Sequence, residues 1–295
     1  MQEEFEGRYK DVLLETFRIL IGFLDKYNLQ YFVCAGTAIG AVRHKGFIPW
    51  DDDIDILMPR KDYNTLKKIF RDKDLPGYNL LTLDCANGTA PFMKFVNSNT
   101  TFWEIKELKA MSGIFIDIFP LDNFNGTLED FMKEYRCVRK LGQFVLLSLF
   151  HFNFLSLISY IKKSKFKLAL MVVLSIFVPY SLNRYFKKKI LKFDNALVER
   201  CDGDAFVNFY GPYGEKEYYK REWFDSYVLC DFCDLKVKLP VNYDEYLTQM
   251  YGNYMQPPSV ENRVCEHNHY YVNLKRNLTI VEAQKRINGG YTEEF

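Results

Sequence analysis

The sequence predicts an α/β (α+β) protein with a mixed sheet flanked by helices. Short apolar runs typical of strands, such as 31–35 and 53–58, alternate with segments of helical periodicity. At 295 residues the chain is long enough to bury a sizeable core. An apolar, Lys-rich segment separates this first part from a Tyr-rich remainder. We therefore predict a sheet-containing core over 1–125, an apolar helical insert over 126–195 and a helical C-terminal portion over 196–295.

Periodicity predicts the elements of the core. Residues 9–27 carry apolar side chains at helical spacing, which indicates an amphipathic helix packed on the sheet. The strand at 31–35 leads into a Gly-Thr turn and a short helix over 38–43. A strand over 53–58 precedes a helix over 60–71. The remaining expected strands are one near 78–83 and a pair over 92–96 and 101–105.

Residues 51–55 are unusually acidic, with four carboxylates in five positions. On a strand, Asp53 and Asp55 would point to the same face of the sheet. Like charges at that separation repel by about 1 to 4 kcal/mol, which a divalent cation would offset. Oxygen-only ligands favour Mg²⁺ or Mn²⁺. The alternative is an acidic turn that only caps the strand entry.

A third carboxylate, Asp117, lies inside the apolar run 113–121. Burying a lone carboxylate is costly, so we expect a metal ion or a buried Arg or Lys to meet it. Lys94 also sits in an apolar run and is predicted to reach a phosphate or a metal-binding carboxylate, the alternative being an edge lysine that extends to solvent. Asp122 follows Pro120 closely and is predicted to cap the next loop.

Residues 36–45 carry the features of a phosphate site. Gly36 and Thr37 form a small-residue turn that opens a helix, where backbone N–H groups and the helix dipole favour an anion. Arg43, His44 and Lys45 follow before the acidic run. A phosphate cradle followed by metal-binding acids is typical of nucleotidyl transfer.

These motifs resemble the LicD family, whose members have the nucleotidyltransferase fold and include bacterial phosphocholine transferases. The similarity covers Ala35-Gly36-Thr37 and the run from Gly40 to Asp55, and continues through 60–63, Lys94 and 116–122. It resumes at 211–214, 243–247 and 251–258. The resemblance implies a nucleotidyltransferase-like core and assigns Arg263 and His267 to the donor's phosphates, although His267 could instead be structural. One departure is Phe232-Cys233-Asp234, where many members read Phe-Glu-Gly; Asp231 or Asp234 could replace that Glu.

The resemblance implies transfer of a phospho-alcohol group from a CDP-alcohol, with CDP-choline the expected donor and CMP the second product. The expected acceptor is a hydroxyl of a cell-surface glycan, of the teichoic acid, lipopolysaccharide or capsule type. Asp53, Asp55 and Asp117 would be both the catalytic and the Mg²⁺-binding (or Mn²⁺-binding) residues, with Gly36, Thr37, Arg43, His44, Lys45, Lys94, Arg263 and His267 binding substrate phosphates. Two alternatives stay open: a nucleotidyltransferase acting on a small hydroxyl acceptor, and a non-catalytic membrane-associated scaffold.

The insert contains two apolar stretches, 144–161 and 168–178, each near or just short of a transmembrane span. We predict helices that lie in the membrane interface, with the surrounding lysines on anionic headgroups. A hairpin of two spans would place Lys162, Lys163 and Lys165 on the far side, against the positive-inside tendency. A buried core hairpin is the remaining alternative.

Composition narrows the class of protein. A net charge of +1 gives no general nucleic-acid footprint. Seven Cys residues have only one C-x-x-C pair, Cys230 and Cys233, which predicts reduced thiols rather than a zinc or redox site. The polar, acidic start of the chain predicts no signal peptide. We therefore expect a cytoplasmic enzyme, peripheral at the inner face of the membrane. The many Tyr residues after 210 would suit a quaternary ammonium group, or would serve packing.

Overall fold

The computed structural model describes residues 2–108, 110–162, 165–265 and 267–294. Its α-helices are α1 Gln2–Lys26, α2 Ala35–Ile39, α3 Arg60–Asp72, α4 Leu128–Leu149, α5 Phe154–Lys162, α6 Phe166–Leu174, α7 Asn183–Val198, α8 Tyr243–Tyr251 and α9 Ile280–Asn288. Its strands are β1 Phe32–Val33, β2 Asp55–Pro59, β3 Tyr78–Leu81, β4 Met93–Trp103, β5 Ser112–Phe124, β6 Ala205–Val207, β7 Tyr218–Lys220, β8 Tyr227–Phe232, β9 Leu235–Pro240, β10 Tyr271–Asn273 and β11 Glu293–Glu294.

A mixed sheet forms the centre of the fold. Its strand order is β1-β2-β5-β4-β10-β11, with β3 pairing with β4, and with β6 and β7 extending it from β5. The pairing of β2 with β5 is parallel, whereas β4 and β5 are antiparallel. Strands β8 and β9 form a separate hairpin. The predicted mixed sheet flanked by helices is confirmed.

Helix α1 packs along the sheet as predicted, but it begins at Gln2 rather than near Tyr9. Its apolar stripe includes Leu13, Phe17, Leu20 and Leu24, all with no exposed surface. Full burial of such side chains contributes about 1.5 to 3 kcal/mol each. This stripe therefore fixes the helix against the sheet, where α1 contacts β4 and β5.

Three predicted elements differ in the structure. The expected strand pair over 92–96 and 101–105 is one strand, β4, whose register with β5 shifts between Asn97 and Phe102. An irregularity of this kind interrupts the pairing of a strand without ending the strand. The sequence pattern on its two sides therefore looks like that of two separate strands. The described residues of the C-terminal portion, which was predicted to be helical, form two further α-helices and also six short strands. These strands are short because most of them extend the sheet only at its margins.

The predicted helix over 38–43 is part of a longer, irregular helical segment. Helix α2 passes at Gly40 into a π-helical turn, Gly40–His44. A Cβ atom on Gly40 would lie 2.4 Å from the carbonyl oxygen of Gly46, so only glycine permits this close return of the chain. The turn brings the loop before the acidic run back against the helix.

Asp122 is not a loop cap, as the sequence analysis expected, but the centre of a buried ion pair. Arg60 Nε lies 2.6 Å from Asp122 Oδ1, and Arg60 Nη2 donates to Asp122 Oδ2 at 2.9 Å. Arg60 Nη1 also donates to Asp194 of α7 at 2.8 Å. The hydroxyl of Tyr210 donates to the same Asp194 oxygen. One guanidinium therefore joins α3, β5 and the insert.

The insert is helical, and its hairpin packs one apolar side on the core while large apolar side chains on the other side stay exposed. Helix α6 contacts the core through Ala169 and Val172, while Leu155 and Phe166 are 76% and 67% exposed. The buried core hairpin is therefore wrong. No single helix in the described ranges is both long and apolar enough to cross a bilayer; the bent pair Phe166–Phe177 and Tyr180–Val198, with an angle of 85°, reaches that length and composition together.

Candidate active site

The acidic residues border a cavity of about 680 Å³ at the edge of the central sheet. The predicted metal-binding residues Asp53, Asp55 and Asp117 line it, together with the predicted phosphate residues Gly36, Arg43 and His267. Asp51, which the prediction did not include, lines it as well. The opposite wall is aromatic and polar, and includes Trp50, Phe92, Phe119, Arg139, Asn208, Tyr210, Tyr213, Glu217, Tyr219, Tyr246, Tyr251 and Tyr254.

Strand pairing brings two of the acids together. In the parallel pair β2 and β5, Asp55 lies opposite Asp117, and on the other side of β5 Lys94 of β4 lies opposite Asp117. Asp53 precedes β2 rather than belonging to it, which corrects the predicted strand start. The loop before β2 still directs Asp53 to the cavity. The chain thus places three carboxylates around one space although only two are on strands.

Burial disfavours the ionised form of these carboxylates. Burial and the charge of Asp51 raise the pKa of Asp53 to about 7. Burial and the charges of Asp53 and Asp117 raise the pKa of Asp55 well above its usual range. Burial also raises the pKa of Asp117, and the charge of Lys94 opposes that rise. A cation placed among these groups would restore the ionised forms.

Lys94 meets Asp117, with its Nζ atom 2.9 Å from Oδ1. This is the ion pair that the sequence analysis offered as one alternative for Asp117. The contact is by charge rather than by a well-directed hydrogen bond, because Oδ1 of Asp117 has no hydrogen-bond partner in the described part of the chain. Lys94 also lies 3.4 Å from the centre of the Phe115 ring. A buried carboxylate oxygen with a free lone pair fits a metal ligand.

The compact carboxylate group is not the predicted one. Within the described ranges, Asp51, Asp52 and Asp53 each offer an oxygen within 4.8 Å of the others, and Asp52, Cys265 and His267 form a second such group. The triad Asp53, Asp55 and Asp117 borders the same cavity but is less tightly clustered. Its assignment to Mg²⁺ or Mn²⁺ stays a prediction.

Two histidines hold the acidic loop from the C-terminal side. His267 Nδ1 lies 2.7 Å from Asp52 Oδ1, and His269 Nε2 lies 2.6 Å from Asp52 Oδ2. The bond to Asp52 raises the pKa of His267 to about 12. Burial works against ionisation of Asp52, but the two histidines outweigh it and lower its pKa. His267 also lines the cavity, with Nε2 3.5 Å from Asp53 Oδ2, and its predicted role at the donor's phosphates stays a prediction.

His269 and Asp52 were missed by the sequence analysis. Residues 267 and 269 are two positions apart, and in an extended chain such residues point to the same side. That spacing was the available signal. Tyr9 of α1 stacks on the His269 ring, with centroids 5.2 Å apart. The histidine pair therefore joins the first helix, the acidic loop and the C-terminal segment.

Gly36 and Thr37 support the acids directly. The Thr37 hydroxyl accepts a hydrogen bond from the Asp55 backbone N–H at 2.9 Å, and Thr37 is 2% exposed. Gly36 lines the cavity, and a Cβ atom there would lie 2.3 Å from Asp51 Oδ2. The hydroxyl is thus engaged in fixing the start of β2, whereas the predicted phosphate role of Gly36 stays untested.

The predicted basic residues divide into two positions. Arg43 lines the cavity, donating from Nε to His44 Nε2 at 2.9 Å and from Nη1 to the carbonyl of Tyr254. Arg263 lies over the Trp50 ring, 5.3 Å from its centre. Lys45 contributes its backbone carbonyl, which accepts from Cys233 N at 2.7 Å. The structure thus brings Arg43 to the cavity wall and Arg263 to Trp50, which lines it.

Cys233 lies outside the cavity. It occupies the β8–β9 turn with a φ of 55°, where it packs against Gly46. Asp234 pairs with Arg18 and Asp231 with Lys236, so neither replaces a glutamate in the cavity. Cys230 also belongs to this hairpin. The departure at this motif therefore changes a turn that supports the loop at residue 46.

Glu217 is an unpredicted acid on the aromatic side of the cavity. It is 1% exposed and accepts hydrogen bonds from the Tyr213 N–H, at 3.2 Å, and from the Tyr219 hydroxyl. Burial raises the pKa of Glu217 to about 7. The short run Gly214–Glu217 gave no sequence signal for it, because burial here comes from helices distant in the chain.

Comparison with known proteins identifies relatives of this architecture. A family model described as "LicD/FKTN/FKRP, nucleotidyltransferase domain" matches residues 28–153. Lipopolysaccharide cholinephosphotransferase LicD of Haemophilus influenzae is 29% identical over 249 residues, which are 82% of this chain and 88% of that protein. The mouse ribitol 5-phosphate transferase FKRP is 31% identical over 70 residues, 22% of this chain and 14% of its own. An uncharacterized protein of Rickettsia prowazekii is 42% identical over 57 residues, 19% of this chain and 21% of its own.

Proposed function

This chain is a member of the LicD family through its nucleotidyltransferase domain, and on that premise we propose that it transfers a phospho-alcohol group to a hydroxyl of a glycan. The donor is a CDP-alcohol, most simply CDP-choline, and the second product is CMP. The acceptor is a cell-surface glycan of the lipopolysaccharide, teichoic acid or capsule type. The observation that carries the proposal is the set of partly buried carboxylates around one cavity, in a chain aligned over most of its length with a cholinephosphotransferase.

Asp53, Asp55 and Asp117 are the residues that would hold Mg²⁺ or Mn²⁺. The raised pKa values of Asp53 and Asp55, and their position beside Asp117, favour a cation at this place. Bound there, the ion would supply charge neutralisation for a diphosphate and its leaving group. Asp51 fits the edge of the same site, since it lies within 4.8 Å of Asp53 through its carboxylate oxygens.

The cationic side chains supply the remaining charge. Arg43 lines the cavity and is placed to contact a donor phosphate. Lys94 keeps Asp117 oriented towards the cavity through their ion pair. Asp117 is also the residue we assign to accept the proton of the attacking hydroxyl. His267 and His269 hold Asp52 and so restrict the movement of the acidic loop.

The aromatic wall suits the alcohol part of the donor. Tyr210, Tyr213, Tyr251 and Tyr254 line the cavity together with Glu217. Aromatic faces attract a quaternary ammonium group by about 0.5 to 2 kcal/mol per contact. This composition is the reason for placing choline first among the alcohols.

The test is release of CMP from a panel of CDP-alcohols in the presence of a glycan extract and Mg²⁺. We expect release from one donor, its loss in Asp53→Asn and its retention in Asp72→Asn, which changes an exposed aspartate at the end of α3. Pyrophosphate release from a nucleoside triphosphate would instead support a nucleotidyltransferase. Equal release by the wild type and Asp53→Asn would contradict the assignment of Asp53.

A further inference from the structure

We propose that the outer face of the insert docks on an anionic lipid bilayer. This insert face consists of apolar side chains on α5, on α6 and on the turn that follows α6. Its members and their exposed fractions are Phe154 62%, Leu155 76%, Phe166 67%, Leu170 56%, Ile176 56% and Phe177 74%. Apolar side chains of this size and exposure on consecutive elements mark a binding surface rather than scattered surface residues.

The hairpin is apolar on its outer side as well as on the side that packs against the core. Ser156 and Ser175 are 6% and 8% exposed, while their neighbours Leu155 and Ile176 point outwards. In a helix that packs on a core and faces water, the apolar side faces the core and the polar side faces water. Here the inner side already packs apolar residues, among them Leu157 and Val172, against a small cluster around Phe150. The large apolar side chains on the outer side are therefore left for another apolar medium.

The helices are too short to cross a bilayer singly, so their length favours a position in the membrane interface. Helices α5 and α6 have nine residues each. At about 1.5 Å per residue each is close to 14 Å long, which is half of a hydrocarbon core of about 30 Å. Helices of this kind enter the boundary between headgroups and acyl chains to a depth of about 5 to 10 Å.

The positive charge of the insert favours anionic lipid. Residues 135–193 contain twelve of the 39 basic residues of the chain and none of the 38 acidic ones. The rest of the chain therefore carries 27 basic against 38 acidic residues, so the basic character belongs to this segment. Lys165 and Lys167 flank the start of α6, and Lys188 and Lys189 are exposed on α7, whereas Lys187 donates to the Cys85 carbonyl. Basic residues beside an apolar face are attracted to anionic headgroups.

A second copy of the chain fits this face less well. Two insert faces in contact would bring two sets of lysines together without acidic partners, because residues 135–193 contain none. Like charges opposed across an interface are unfavourable. A bilayer that contains anionic lipid offers both the apolar medium and the opposite charge.

The hairpin is also tied to the candidate active site. Lys165 Nζ donates to Asn268 Oδ1 at 2.7 Å, and Asn268 lies between the two histidines that bind Asp52. Docking of the insert face would therefore hold this edge of the site near the lipid surface. This last step rests on the proposed function, because it matters only if the acceptor is carried by the membrane. The docking itself does not depend on the proposed function.

The experiment is co-sedimentation of the full-length protein with lipid vesicles, either pure phosphatidylcholine or an equal mixture with phosphatidylglycerol. The test variant is Leu155→Asn/Phe177→Asn. The matched control is Val260→Asn/Val281→Asn, which changes two apolar residues that are 73% and 64% exposed elsewhere. All three proteins are first compared by thermal melting, because a comparison of binding needs folded protein.

We expect wild type and control to bind the mixed vesicles and the test variant to bind them at least about tenfold more weakly. Binding should also weaken with added salt and be lower on pure phosphatidylcholine. Equal binding by the test and control variants, or no sedimentation of the wild type, would overturn the proposal. Self-association of the wild type that the test variant abolishes, without vesicle binding, would assign the face to a second copy and would equally overturn it. Phosphotransferase activity enters none of these measurements.

Discussion

The buried pair of Arg60 and Asp122 allows a sharp test of how the core is held together. Their side chains are 5% and 0% exposed, and two contacts of 2.6 and 2.9 Å join them. In Asp122→Asn the charge of Arg60 keeps only the partly exposed Asp194 as an acidic partner. Breaking one side of a buried ion pair costs about 3 to 5 kcal/mol.

With an unfolding entropy of about 2.1 cal/mol/K per residue over 295 residues, 1 kcal/mol corresponds to about 1.6 °C in Tm, so Asp122→Asn is expected to melt about 5 to 8 °C lower. The assay is the free energy of unfolding from urea denaturation, with thermal melting as a second readout. The double variant Arg60→Met/Asp122→Leu should recover part of this loss, because it removes both buried charges.

The control is Asp25→Asn, which removes the exposed end of the pair with Lys238 and should leave the midpoint near that of the wild type. A melting temperature of Asp122→Asn equal to that of the wild type would refute the reasoning. It would mean that Asp194 alone satisfies Arg60.

Further predictions concern the cavity. The pKa of Glu217 is about 7 in the folded protein and 4.5 in the unfolded chain, so the free energy of unfolding should fall as pH rises from 4.5 to 7 and level off above that. Measured by urea denaturation relative to Glu217→Gln, the wild type should lose about 3 kcal/mol between these two pH values. Parallel pH profiles of the two proteins would contradict this. Gly36→Ala should lower turnover by at least about tenfold, because the added Cβ would lie 2.3 Å from Asp51 Oδ2. The control is Gly22→Ala, where an added Cβ has nothing within 4 Å. Equal activities of the two variants would contradict this prediction. His269→Ala should lower kcat more than it changes the KM of the donor, because it frees one oxygen of Asp52 from a 2.6 Å contact; an unchanged kcat in steady-state assays would argue against a positioning role.

Local sequence patterns predicted the parts of the site that are close together in the chain. The run 51–55 and the apolar stretch around Asp117 indicated acids at strand ends, and parallel pairing of β2 with β5 places Asp55 opposite Asp117. The same patterns predicted the helix that follows β2, observed as Arg60–Asp72. Periodicity is sufficient in these cases because each element is short and regular.

Contacts between distant segments were beyond local patterns. The partners of Asp52 lie 215 and 217 residues away, and those of Arg60 lie 62 and 134 residues away. Nothing in the sequence around Asp122 distinguishes a loop cap from a buried ion pair, because the distinction depends on which helix covers it. Two contacts of predicted phosphate residues were also beyond local patterns: the Thr37 hydroxyl accepts from the Asp55 N–H, and the Lys45 carbonyl accepts from the Cys233 N–H.

The most direct test of the central claim follows the transferred group itself. Purified protein is incubated with Mg²⁺, a glycan extract and CDP-choline labelled in the choline methyl groups, and label on the glycan is measured for the wild type, Asp53→Asn, Asp55→Asn, Asp117→Asn and Asp72→Asn. The account predicts labelled glycan with stoichiometric CMP for the wild type and Asp72→Asn, and loss of both in the other three. Label transfer that persists in all three cavity variants, despite their buried positions around one space, would contradict the account.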